Sequence, residues 1–596
     1  MRMLAWTAIA VVACTGPKDT MHATTTPEPS PLAADAVAGI DDPALRAVVA
    51  EHWELMMRWT PTWATTLGDH RYDDQLAPRD AAAIARYQHE RDELRARVHR
   101  VDGAKLGETD RVTLALLAGR LDAEAGLDVC KFHEWLVDSG GSSVLGELSY
   151  LVESHLVKTP RDAHNLIARM HQGAKLVDDT IANLAVGLAD GRVSSKEKVR
   201  RAIEQLSVEL DKPTAEWAMA NPSWAKAQPS LAAELGTVVD LEIRPALARQ
   251  REFLVSKVLP KARGENEGLA ALPDGDACYR ATIVNHVGLA MSPQELHALG
   301  LAEIGKTDAR LVELGGRVLG TRDLASTIAK LRDDHSLYFE SREQILDAAQ
   351  HALARAKAAI PAYFSVLPKA DCVMREIPDY EAPYSTIAYY RQPHYDGSKP
   401  GEYFVNTYKP ETRPRFELEA LTWHESIPGR HLQIAIAQEL GALPAFRKLD
   451  GSTAFVEGWA LYTERLADQM GLYTSDLDRL GAASYDAWRA SRLVVDTGIH
   501  SLGWTRAQAE DFMRLHTALT DINISNEVDR YIGWPGQALG YKVGQLEILR
   551  LRAEAEAALG AKFDLKAFHE VVLGAGAVTL PVLEQRVRAW IARTKG

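Results

Sequence analysis

The sequence predicts a mainly α-helical fold with a small β-sheet beside a helix that carries a His-Glu pair. Two observations carry the helical part: long segments repeat apolar residues at i, i+3 and i+4 with charged opposite faces, and strand-like alternation is scarce. The sheet rests on a third. Glu402–Thr407 alternates just after the turn-rich Asp396–Gly401 and just before a His-Glu pair. No repeat at solenoid spacing competes with this reading.

Composition sets the bounds. The chain has 596 residues, 46% apolar and 25% charged, enough for a large core. Its 68 basic and 81 acidic residues give −13, with no basic block, which argues against nucleic acid and against a polybasic membrane contact.

In chain order, Met1–Cys14 reads as a bacterial secretory signal ending in a lipobox, with Cys14 the lipidated residue. Its apolar run is too short to span a bilayer as a helix. Residues 15–38, rich in Thr, Pro and Ala, form a flexible tether. The expected location is the cell envelope, on the outer membrane and facing the periplasm. Residues 39–596 form the folded part, with an N-terminal helical portion to about 290 and a C-terminal portion from 291. Helical periodicity marks Pro43–Thr66, Asp80–Val101, Thr180–Leu188, Ser194–Leu210, Arg342–Ala359 and most of Leu461–Ala557. Ser292-Pro293-Gln294-Glu295 is a helix start, with a capping Ser, Pro at the first position and Glu three residues after the cap. Cys130, Cys278 and Cys372 are odd in number and widely spaced, which favours buried thiols over a disulfide framework.

The chemistry centres on Trp423–Gln433, WHESIPGRHLQ. A His followed by Glu on a helix is half of a zinc-hydrolase signature: the imidazole binds the ion and the carboxylate takes a proton from water. The usual second His, four residues on, is here Pro428, and the next is His431. A turn at Pro428-Gly429 is expected to swing His431 back. Glu457, on a following helix, supplies the third ligand, and Glu464 is its substitute or a partner of a ligand. The strand at Tyr403, Val405 and Asn406 offers an edge to which an extended peptide can add. Its rival reading is an ordinary covered hairpin.

Several fragments together resemble the bacterial family called domain of unknown function 885: Asp396–Asn406, His424–Gln433, Glu457–Glu464, Arg492–His500, Pro535–Gly544 and Phe568–Glu584, with Arg58–Gly68 similar to its opening helix. The resemblance implies a zinc metallopeptidase similar in architecture to carboxypeptidase Taq and the oligopeptidases, with the small sheet beside its metal-binding helix and a deep central channel between helical walls. Zn2+ would sit on His424, His431 and Glu457, with Glu425 as general base. Many members carry His where this chain has Arg430. If that position is the family's ligand, zinc is lost; if His431 is, the site is whole, and the retained Glu425 and Glu457 favour the second. Tyr541 is the candidate oxyanion donor, with His500 sharing that role or orienting substrate and Asp496 behind it. Arg492, Arg530 and Lys542 are candidate clamps for a peptide carboxylate, although each taken singly fits an internal ion pair better. Trp423, Trp459 and Trp534 read as core or channel wall. No GxSxG elbow or Walker loop appears. The expected function is zinc-dependent hydrolysis of short peptides; the alternative is a non-catalytic lipoprotein binding peptides or an envelope partner in the same cleft.

Overall fold

A computed structural model describes residues 30–378, 382, 387–393, 397 and 399–596. Cys14, most of the tether, and Asp396 and Ser398 of the Asp396–Gly401 turn lie outside them.

After a single helical turn at Ala33–Ala36 comes helix α1 (Pro43–Trp59), which starts at Asp42, whose carboxylate accepts the Leu45 N–H. Thr60-Pro61 breaks the expected single helix, because proline has no N–H and tolerates only the first turn. Helix α2 (Pro61–Leu67) follows and stops at Gly68, which is left-handed. Next come α3 (Ala81–Val98) and α4 (Glu108–Gly126), then α5 (Pro160–Ala189), thirty residues long and closed by a Thr159–Asp162 capping box. Only its last third is conspicuous in the sequence. Helix α6 (Lys196–Leu210) is close to its predicted bounds. A core of aliphatic residues with Trp217 and Trp224 joins α5, α6 and their neighbours.

Helix α7 (Gly275–Val287) is tied to the turn after α4 by a Cys130–Cys278 disulfide. This corrects the expectation of buried thiols. A bridge across 148 residues needs two distant helices packed side by side, which spacing does not reveal. Cys372 is the buried free thiol. Helix α8 (Pro293–Leu319) has the predicted Ser292–Glu295 box, and α9 (Arg342–Ala359) matches its predicted span.

The sheet has three strands, β1 (Cys372–Glu376), β2 (Ala388–Arg391) and β3 (Gly401–Val405), in the order β1-β3-β2. Strand β3 is the predicted one, but it is central, parallel to β1 and antiparallel to β2. Both its ladders are used, so no peptide can add to it. Tyr403 and Val405 are buried, and Asn406 just beyond them donates its amide to the Ala382 carbonyl. The substrate-pairing role expected of these three is therefore corrected to a core role.

Helices α10 (Leu418–Glu425), α11 (Arg430–Glu439), α12 (Thr453–Gln469), α13 (Asp476–Ser501), α14 (Asp521–Gly533) and α15 (Leu539–Leu559) complete the frame around the site. The sheet, α9–α12 and α15 share one core, with Tyr403, Trp423 and Trp459 at its centre. Among the described residues no helix is long and apolar enough to cross a membrane.

Candidate functional site

Helix α10 ends at Glu425 and α11 begins at Arg430, so the Ser426–Gly429 turn decides which side chains face α12. The chain folds back tightly there. The Ile427–Pro428 peptide is cis, and a Cβ on Gly429 would lie 2.2 Å from the Trp423 carbonyl oxygen and 2.1 Å from that of His424. Trp459 of α12 pins the turn by donating its indole N–H to the Pro428 carbonyl, 3.0 Å away.

This turn brings His424, Glu425, Arg430, Glu457 and Glu464 together. His424 is buried, with Nδ1 2.8 Å from Glu464 Oε1 and Nε2 3.9 Å from Glu457 Oε2. The guanidinium of Arg430 sits between two carboxylates, with Nε 3.1 Å from Glu425 Oε2 and a close hydrogen bond from its terminal nitrogen to Glu457. His431, one residue on, turns elsewhere. Its Nδ1 accepts from the Tyr390 hydroxyl at 2.9 Å and its Nε2 donates to the Ala370 carbonyl at 3.1 Å. The expectation that His431 joins His424 and Glu457 is corrected: one residue along a helix is about 100° of rotation, and Arg430 takes the inward direction. Among the described residues, no three His, Cys, Asp or Glu side chains are grouped so as to hold a metal ion.

The electrostatics follow from this placement. Burial, together with the cations of Arg430, Arg489 and Arg492, holds His424 well below its ordinary pKa and therefore neutral. Burial pushes Glu425 up to about 7, with Arg430 pulling the other way. Glu464 rises to about 8, mainly by burial, which suits a carboxyl sharing a proton with His424 Nδ1. Burial works against the charge of Arg430, but Glu457 and Glu425 outweigh it and hold the guanidinium protonated. A neutral imidazole, two carboxylates and a fixed cation can bind a polar ligand, but the Glu425 oxygen nearest the cation is already engaged.

Tyr541 lies beside this group. Its hydroxyl accepts from Arg530 at 3.1 Å, and the Arg492 guanidinium lies 4.3 Å from the centre of its ring. Arg492 is internal: it pairs with Glu527 at 2.9 Å and donates to the Tyr531 hydroxyl at 3.2 Å. Glu527 is drawn down to about 2, as Arg492 and Arg530 overcome its burial. Lys542 is fully buried between Asp486, at 2.6 Å, and Glu303, at 3.2 Å. These two candidate clamps are thus ion pairs of the core, and only Arg530, with its side chain 32% exposed, remains reachable. His500 is also core. Its Nε2 donates to the Tyr531 carbonyl at 2.9 Å and its Nδ1 accepts from the Leu269 N–H at 3.1 Å, which leaves no nitrogen for catalysis. Asp496 accepts from Tyr279 and Gly536 rather than from His500. Trp423 and Trp459 are buried, whereas Trp534 is half exposed.

Two contributors escaped the sequence reading. Arg489 lies 3.8 Å from Glu464 and stacks over Tyr485 and Trp488; its place three residues before Arg492, one turn along the same helix, was the available signal. Tyr390, which holds His431 away from the site, carries no local pattern.

The whole arrangement rests on a helical frame found elsewhere. The family model described as "Bacterial protein of unknown function (DUF885)" matches residues 61–587, and the chain belongs to that family. Its structure is similar to that described as "the putative lipoprotein from Colwellia psychrerythraea", with a TM-score of 0.85 and 26% identity over 92% of this chain and 99% of that one. It also resembles "a putative lipoprotein of unknown function from Shewanella oneidensis", with a TM-score of 0.72 and 21% identity over 91% and 98% of the two chains, a likeness of fold alone. No curated protein matches the chain. The descriptions of these neighbours are consistent with an envelope location.

Proposed function

We propose that this chain is a metal-independent envelope lipoprotein that binds short peptides at the His424 site without cleaving them. One observation carries the reading: Arg430 bridges Glu425 and Glu457 in front of His424, the place a metal ion would need. A guanidinium there neutralises the carboxylates as an ion would, but it offers no open coordination position and cannot lower the pKa of a bound water. The Cys130–Cys278 bridge agrees with an oxidising compartment. Arg530, beside Tyr541 and partly exposed, is the contact left for a peptide carboxylate.

A second reading, zinc-dependent hydrolysis of short peptides, has one observation in its favour. Glu464 backs His424 as a carboxylate backs a metal-bound imidazole, leaving Nε2 turned toward Glu457. In the arrangement present, His424 and Glu457 do not make a three-ligand set, and Arg430 would have to leave. A quenched-peptide library separates the two. Saturable peptide binding with no turnover, with or without added zinc, supports the first; zinc-stimulated turnover lost in Glu425→Gln supports the second and ends the first.

A further inference from the structure

We propose that a cavity between α1, α2, α3, α4 and the Leu449-Asp450 segment, which shares no lining residue with the Arg430 group, is a binding site for a small organic cation of the alkylammonium class. The cavity has a volume of about 560 Å3, in the range of small-molecule sites. Trp59 and Trp63, both from the Arg58–Gly68 stretch that the His424 site does not use, line it together with Tyr87 and Met56.

The aromatic walls are fixed in advance. Trp59 donates its indole N–H to Glu90 at 3.1 Å, Tyr87 donates its hydroxyl to Glu124 at 3.1 Å, and the two rings meet edge to face with centroids 5.5 Å apart. Side chains held this way lose little freedom when a ligand arrives. The polar wall is Arg120, which pairs with Glu124 at 3.0 Å and with Asp450. One cation against two carboxylates leaves this wall net negative. An anion would meet two carboxylates and a guanidinium already engaged by both. A neutral ligand would gain from the ring faces but not from the surplus charge. A cation with apolar substituents uses both, since the face of an indole or phenol attracts positive charge. The Arg120–Asp450 pair also joins the N-terminal helices to the segment leading into α12, so the site spans both portions of the chain.

The test is calorimetric titration of the full chain with tetramethylammonium, choline and 3,3-dimethylbutan-1-ol, the uncharged isostere of choline. The expected result is saturable binding of both cations, with the neutral isostere weaker by about tenfold. Trp63→Ala is expected to weaken choline by a similar factor. Glu124→Gln, which keeps the shape of the wall, should weaken it severalfold and keeps the test alive if Trp63→Ala fails to fold. Competition by phosphatidylcholine vesicles would identify a lipid headgroup as the source, and retained choline binding without such competition a free solute. Absence of saturable cation binding, or equal binding of the neutral isostere, overturns the proposal.

Discussion

Arg430→Met is the most informative perturbation of the site. The change keeps most of the length of the side chain and removes the charge between Glu425 and Glu457, whose side chains are only 12% and 10% exposed. Removing one partner of a buried ion pair costs about 3–5 kcal/mol, because the remaining charge is left without compensation. Glu425, which burial already holds up at about 7, takes up a proton once the cation is gone. Glu457 is the stranded carboxylate, and since it retains some contact with solvent a loss of about 3 kcal/mol is expected. Glu457→Gln on the same background removes the stranded charge and should recover about half of that loss. Urea unfolding of the wild type, both single variants and the double variant at neutral pH supplies the cycle. A loss below about 0.5 kcal/mol in Arg430→Met, as for an exposed pair, or additive effects in the double variant, would refute the claim that Arg430 neutralises the site.

Three further outcomes follow from the packing. Burial holds Asp496 up at about 7, against hydrogen bonds from Tyr279 and Gly536 that pull it down. The folded chain therefore keeps a proton that the unfolded chain releases above its ordinary 3.8, and stability falls as pH rises toward 7 and levels off above it. Asp496→Asn should flatten that slope and stabilise the chain at pH 8, by at most about 4 kcal/mol, measured as a shift in urea midpoint. Reduction of Cys130–Cys278 should cost about 2–4 kcal/mol, measured by urea unfolding with and without reductant. At the α12–α15 crossing, a Cβ on Gly458 would lie 2.4 Å from the carbonyl carbon of Gly544. Gly458→Ala should then cost at least about 2 kcal/mol, whereas Gly119→Ala, with open space around it, should not destabilise the chain in the same assay.

Much of the fold was legible because local chemistry specified it. The Ser292–Glu295 box starts a helix as its residues require, and Arg342–Ala359 runs where its periodicity ends. The meeting of His424 with Glu457 and Glu464 was legible too, since residues seven apart on α12 share a face. What could not be read was which of two adjacent residues after Pro428-Gly429 points inward. A single residue of helical phase decides it, and that phase is set by a tertiary contact, Trp459 on the Pro428 carbonyl. The central position of β3 and the Cys130–Cys278 bridge are likewise products of long-range packing. His500, Arg492 and Lys542 look functional in a strongly patterned stretch, yet the pattern records how α13–α15 pack in the core.

The most direct test of the account is the zinc content of the chain, expressed with zinc in excess, dialysed without chelator and measured by mass spectrometry of the metal. With a guanidinium seated between the two glutamates, zinc should stay far below stoichiometric. A value near one ion per chain would mean that Arg430 yields its place, and the metal-independent reading would fall.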